Sequence, residues 1–251
     1  MDREPVVVIT GGGKGIGASI TRVFHEAGYS VVVGSREDSG LVAELGERAK
    51  FCATDVCKHS DLVRLVETAV EWKGGIDVMI NNAGYSQWRP AEEVDEAFWE
   101  RMIDTNLKGT FFGCQAAGGR MGEGGCIINI SSLASKRGSA NNSVYCASKF
   151  GVNGVTQALA KEWGKKNIRI NAVCPVYVRT EGLMQALEDD VAPPAGEGVD
   201  EYLETFTRAN SALGRLPTGK QVADVCLFLS SEHSAAITGQ CINVDCGVLP
   251  Q

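Results

Sequence analysis

A short apolar run, Pro5 to Ile9, leads directly into Thr10-Gly11-Gly12-Gly13-Lys14-Gly15-Ile16-Gly17. An amphipathic helical pattern follows from Ala18 to about Ala27, Gly28 offers a stop, and a second apolar run covers Ser30 to Val33. Runs of β-branched residues without alternation suit parallel strands buried on both faces. Strand, glycine turn, helix and strand make one βαβ unit, and that unit commits a chain to the α/β class. The glycines let the backbone turn tightly and approach a pyrophosphate at a helix N-terminus, where free N–H groups and the helix dipole attract anions. Gly11, Gly13, Lys14, Gly15, Ile16 and Gly17 are therefore candidate phosphate-binding residues.

The remaining chain repeats the alternation. Leu41 to Lys50 reads as helix, Phe51 to Ala53 as strand and His59 to Lys73 as helix. Ile76 to Ile80 is a buried strand ending in Asn81-Asn82-Ala83-Gly84. Val94 to Gly118 reads as one long helix carrying Asn106, and Gly124 to Ile130 as a strand ending in Ser131-Ser132. Ile168 to Cys174 is a further strand and Gly219 to Ser230 an amphipathic helix. No repeat, linker or composition break divides the 251 residues, so one domain over 1–251 is expected. A net charge of −7 argues against a nucleic-acid partner. No apolar run approaches the length of a membrane span, and the N-terminus lacks a signal-peptide core. Nine cysteines scattered through apolar stretches fit buried thiols in a reducing cytoplasm, and their spacing suggests no metal site.

Tyr145-Cys-Ala-Ser-Lys149 lies in a stretch of helical composition, which puts Tyr145 and Lys149 one turn apart on one face. An ammonium at roughly 4 Å is worth about 4 kcal/mol to a phenolate at an effective dielectric near 20. At about 1.36 kcal/mol per pKa unit, that could bring a tyrosine from near 10 toward neutrality. A tyrosine tuned in this way is a general acid/base for a carbonyl–alcohol pair. The competing reading is a surface helix with an unrelated Tyr and Lys.

The Gly11-x-x-x-Gly15-x-Gly17 spacing, Asn81-Asn82-Ala83-Gly84 and Tyr145-x-x-x-Lys149 together resemble the short-chain dehydrogenase/reductase family, over Val6 to Gly247. The resemblance implies a single-domain doubly wound Rossmann fold with a seven-stranded parallel sheet in the order 3-2-1-4-5-6-7 and helices on both faces. Ser132 stands 13 residues before Tyr145, the family's spacing, so the implied catalytic residues are Asn106, Ser132, Tyr145 and Lys149. Tyr145 would exchange the proton and Ser132 would hold the substrate oxygen. Lys149 would hold the nicotinamide ribose, and Asn106 would hold a water that links the lysine to solvent. Asp55 and Val56 would border the adenine, with a helix N-cap as the alternative role for Asp55. Asn82, Ala83, Gly84, Pro175, Val178 and Thr180 complete the implied cofactor contacts, beside Tyr145 and Lys149. Val176 departs from the family's Pro-Gly at Pro175-Val176. The family also implies a homotetramer or homodimer.

Residue types argue for the cofactor. NAD sites usually place an acid about 20 positions after the glycines to bond the ribose 2′-OH. Here Ser35 stands there, followed by Arg36. An arginine fork binds a 2′-phosphate and a carboxylate repels it, and Lys14 adds a second cation. NADP(H) is the preferred cofactor, and Glu37 or Asp38 keeps NAD(H) possible. The segment from Glu181 to Arg208 holds eight carboxylates and Pro193-Pro194-Ala195-Gly196. A substrate lid is expected over about 181–215, by the resemblance. The chain thus reads as an oxidoreductase for a small ketone or secondary alcohol, resembling 3-oxoacyl-[acyl-carrier-protein] reductases, whose acidic carrier the acidic lid disfavours. An NAD-dependent sugar or polyol dehydrogenase and a catalytically silent nucleotide-binding protein are the alternatives.

Overall fold

The structure, a computed structural model, describes residues 3–196 and 198–250. These residues form a seven-stranded, all-parallel sheet in the order β3-β2-β1-β4-β5-β6-β7. The strands are β1 Val6–Thr10, β2 Ser30–Ser35, β3 Ala49–Ala53, β4 Val78–Asn81, β5 Cys126–Ile130, β6 Arg169–Pro175 and β7 Cys241–Val244. The helices are α1 Gly15–Glu26, α2 Leu41–Leu45, α3 His59–Lys73, α4 Glu96–Ile103, α5 Gly109–Gly118, α6 Ser143–Trp163, α7 Glu181–Leu187, α8 Val199–Asn210 and α9 Gly219–Ser230.

Side chains alternate across each strand, so one apolar run serves two cores. Val7 and Ile9 of β1 meet Ile20 and Phe24 of α1 and Val222 and Cys226 of α9. Val6 and Val8 face the other way, into a cluster with Leu65 and Val66 of α3, Cys114 of α5 and Leu159 of α6. All five residues of β1 are buried. A capping box starts α9, with Thr218 accepting from the Gln221 N–H while the Gln221 side chain accepts from the Thr218 N–H.

The stretch from 96 to 118 is not one regular helix. Asp104–Lys108 winds as a π-helix between α4 and α5, with Asn106 inside it. The helix expected over 41–50 stops at Leu45, because Gly46 takes a positive φ of 75° and a 3₁₀ turn leads into β3, which begins at Ala49. The acidic segment contains two real helices, α7 and α8, and of its carboxylates Glu197 lies outside the described residues.

Candidate active site

Chain order reverses between β1 and β4, which opens a crevice at the carboxyl edge of the sheet. The loops after these two strands are stitched together there. Asn82 Nδ2 donates to the carbonyls of Thr10 and Gly11, each at 3.0 Å, and Thr10 Oγ1 accepts from the N–H groups of Asn82 and Ala83 at 3.0 and 3.1 Å. Thr21 Oγ1 ties α1 back to the turn through the Gly12 carbonyl at 2.9 Å. Gly17 has no room for a side chain, since a Cβ there would lie 2.1 Å from the Gly11 carbonyl oxygen. In an open helical position Gly→Ala would gain about 1 kcal/mol. Here the contact is with backbone, so Gly17→Ala should instead lower the melting temperature and weaken dinucleotide binding, which thermal unfolding and cofactor titration will read.

From the turn a cleft of about 1210 Å³ runs along the sheet edge. Gly11, Gly13, Lys14, Gly15, Ile16, Gly17, Ser35, Arg36, Asp55, Val56, Asn82, Ala83, Gly84, Pro175, Val178 and Thr180 all line it, as do Ser132, Tyr145 and Lys149. Asn106 does not line the cleft and is fully buried behind it. Its Oδ1 accepts from the Tyr85 N–H at 3.0 Å and its Nδ2 donates to the Tyr85 carbonyl at 2.9 Å. The side chain thus anchors the loop after β4. A Cβ on Gly84 would lie 2.9 Å from Asn106 Oδ1 and 3.5 Å from Lys149 Nζ, so that glycine fills the gap between them.

Tyr145 and Lys149 share a face of α6, with the Lys149 Nζ 5.7 Å from the tyrosine ring centroid. Lys149 is 5% exposed and donates to the Ile130 carbonyl at 2.9 Å. Burial pushes its ammonium down to about 8. Burial also pushes the Tyr145 phenol up to about 12, against a smaller lowering by its hydrogen bond with the Ser132 side chain. The tyrosine is therefore not brought toward neutrality by the lysine, as the residue spacing alone suggested. Desolvation of the phenolate outweighs the Ser132 hydrogen bond, and the lysine ammonium is turned toward a main-chain carbonyl.

Two smaller expectations also change. Asp55 does not cap α3, whose N-cap position is Lys58; Asp61 reaches back to the Asp55 N–H at 3.0 Å, and Asp55 Oδ1 accepts from the Cys57 N–H at 3.1 Å. Asp38 is turned onto the Gly40 N–H at 2.9 Å, which leaves Glu37 as the acid lining the cleft near Ser35. Ser35 Oγ donates to the Glu37 carbonyl at 2.7 Å. Lys14 and Arg36 are exposed and form no ion pair among the described residues.

Helices α7 and α8 wall one side of the cleft. Leu187 of α7, Ala192 and Leu203 of α8 pack around Trp88, and Tyr177 packs edge-on against Phe206 with ring centroids 4.9 Å apart. Arg179 forms an ion pair with Asp200, and Asn141 Nδ2 donates to the Val191 carbonyl at 3.0 Å. Val176 lines the cleft, and its N–H reaches the Val244 carbonyl at 3.4 Å. Tyr85, Trp88, Arg101, Arg137, Tyr177 and Phe206 line the cleft too, though the sequence reading had not singled them out. They come from five separate segments with no shared spacing, so only tertiary packing brings them together.

A family model described as enoyl-(acyl carrier protein) reductase matches residues 11–249. The 3-oxoacyl-[acyl-carrier-protein] reductase FabG of Chlamydia muridarum is 34% identical over 96% of this chain and 96% of its own. The chain belongs to the short-chain dehydrogenase/reductase family. Another relative is the D-threitol dehydrogenase of Mycolicibacterium smegmatis, 33% identical over 96% of this chain and 92% of its own. Among solved structures, a single-residue variant of the actinorhodin polyketide ketoreductase with NADPH superposes with a TM-score of 0.89 at 31% identity, covering 98% of this chain and 97% of that one. This short-chain dehydrogenase/reductase is an oxidoreductase acting on CH–OH or ketone groups, and its family implies a nicotinamide cofactor. No helix among the described residues is long and apolar enough to cross a membrane.

Proposed function

We propose that the protein is an NADP(H)-dependent ketone reductase or secondary-alcohol dehydrogenase, with Tyr145 as general acid/base. The observation that carries this reading is a single cleft with the glycine turn, Lys14 and Arg36 at one end and Ser132, Tyr145 and Lys149 at the other. The glycine turn is a cradle that a Cβ on Gly17 would fill, as a backbone seat for pyrophosphate requires. Pro175, Val178 and Thr180 would flank the nicotinamide and Asp55 and Val56 the adenine. Bound nicotinamide supplies the hydride chemistry.

The protein's own groups then have separable tasks. Ser132 fixes the substrate oxygen beside the Tyr145 phenol. Tyr145, protonated across the neutral range, donates its proton to that oxygen as a ketone is reduced and recovers it in the reverse direction. Lys149 holds the ribose and steadies the tyrosine, while Asn106 fixes the loop behind them. The closed lid keeps water from the reacting atoms. A cytoplasmic homo-oligomer fits the family and the free thiols.

Arg36 and Lys14 support a 2′-phosphate, as does the likeness to a ketoreductase solved with NADPH. Glu37 in the same cleft supports the competing NAD(H) reading. The two separate by titration. Arg36→Ala should weaken NADPH roughly tenfold, the lower end for a charge-assisted hydrogen bond because the site is open to solvent, and leave NADH nearly unchanged. Ser35→Asp should shift preference toward NADH by placing a like charge against the phosphate. Equal losses for both cofactors, or no loss for NADPH, would contradict the phosphate pocket and favour NAD(H).

A further inference from the structure

The ionisable residues lining the cleft divide by position. Lys14, Arg36, Glu37 and Asp55 lie toward the adenosine end. Glu181 also lines the cleft and follows Thr180, whose Cγ2 would lie 3.4 Å from a Cβ on Gly15. Around Tyr145 the lining charges, apart from Lys149, are Arg101 and Arg137. Arg101 is engaged, its Nε donating to the Tyr85 hydroxyl at 3.0 Å. Arg137 is exposed, sits five positions after Ser132 on the loop that leaves β5, and has no carboxylate partner among the described residues.

An unpaired guanidinium at the reacting end is unexpected in a chain of net charge −7, where carboxylates outnumber cations. Arg137 and Tyr177 line the same cleft. Burial, and then Tyr202, push the Tyr177 phenol far up, so it stays a neutral donor. The hydroxyls of Tyr177 and Tyr202 lie 3.2 Å apart, and either can donate to the other. One hydrogen bond uses one of the two O–H groups and leaves the second uncommitted. A guanidinium fork and a free phenolic O–H lining one cleft match the two oxygens of an oxyacid anion.

We propose that the substrate carries, beside its reacting carbonyl or alcohol, an anionic oxyacid group held by Arg137 and the free hydroxyl of the Tyr177–Tyr202 pair. The edge-packed rings of Tyr177 and Phe206 form the wall along which the rest of the substrate lies. This rests on the oxidoreductase reading of the same cleft and names its substrate class.

Three matched probes test it: acetoacetate, its neutral methyl ester, and acetonylphosphonate. Their kcat/KM values are compared in wild type, Arg137→Gln and Tyr177→Phe with saturating reduced cofactor. Wild type should prefer an anionic probe over the ester roughly tenfold, the lower end for a charge-assisted hydrogen bond because Arg137 is exposed. Arg137→Gln should collapse that ratio, and Tyr177→Phe should lower it roughly three- to tenfold as a neutral bond is lost. Preference for acetoacetate identifies a carboxylate and preference for the phosphonate a phosphate-type group. Turnover of the ester as good as that of both anions, or an Arg137→Gln loss shared equally by ester and acid, would overturn the anion seat and leave the oxidoreductase reading standing. Quenching of tryptophan fluorescence, with Trp88 in the cleft wall, gives a readout independent of turnover. If no probe turned over, quenching by acetoacetate that is lost in Arg137→Gln would keep the seat, and its absence would overturn it.

Discussion

Tyr145→Phe should lower turnover by roughly two to four orders of magnitude, the usual worth of a positioned general acid. The substitution removes one oxygen and keeps the ring, which packs against Phe98, Met102 and Val144. The helix and the cleft wall should therefore persist, and the cofactor Kd should stay within about twofold, since no bond to a phosphate is lost. Steady-state kinetics on a reducible ketone and cofactor titration by fluorescence separate the two effects. Retention of most of the wild-type kcat would sink the assignment of Tyr145 as proton donor. A large loss of cofactor affinity would make Tyr145 a binding residue instead.

Lys149→Met should abolish activity and weaken the cofactor while leaving the free protein as stable as wild type or more so. The ammonium is buried, it donates to the Ile130 carbonyl, and burial holds it down to about 8. Its ordinary value is about 10.5, so the unfolded chain binds the proton more tightly than the folded one. The cost of burying the charge is fully present below about pH 8 and fades as the pH rises toward 10.5. At about 1.36 kcal/mol per unit, the cost amounts to roughly 3 kcal/mol as an upper figure. The methionine variant should show its largest relative gain in melting temperature at neutral pH and none at the alkaline limit. A variant much less stable than wild type at pH 7, with the same deficit at pH 10, would mean that packing rather than charge governs this position.

The fold was legible because its signals are local and repeated. A buried parallel strand reads as an apolar run, a dinucleotide turn needs its glycines, and the polar residues at strand ends Thr10, Asn81 and Ser131 mark the carboxyl edge. Helix α9 was readable to the residue from its amphipathic pattern. The break at Asp104–Lys108 was not readable, since a π turn keeps helical composition, and the hydrogen bonds of Asn106 to Tyr85 join it to a segment distant in sequence. The ionisation of Tyr145 was misjudged for a related reason. Spacing brings Lys149 to the correct face, but only the folded chain shows its ammonium turned to Ile130 and both groups desolvated. Arg137, Tyr177 and Phe206 line one cleft from two loops and α8, and no shared spacing in the sequence links them.

One measurement bears most directly on the central claim. Purified protein with bound NADPH is mixed with a panel of small ketones, both neutral and anionic, and the loss of reduced nicotinamide is followed beside the alcohol formed. Wild type should form one alcohol per cofactor oxidised, with no comparable rate in Tyr145→Phe. Tight NADPH binding with no oxidation by any ketone, and no reduction of NADP by the matching alcohols, would contradict it and mark the protein as a nucleotide-binding relative without turnover.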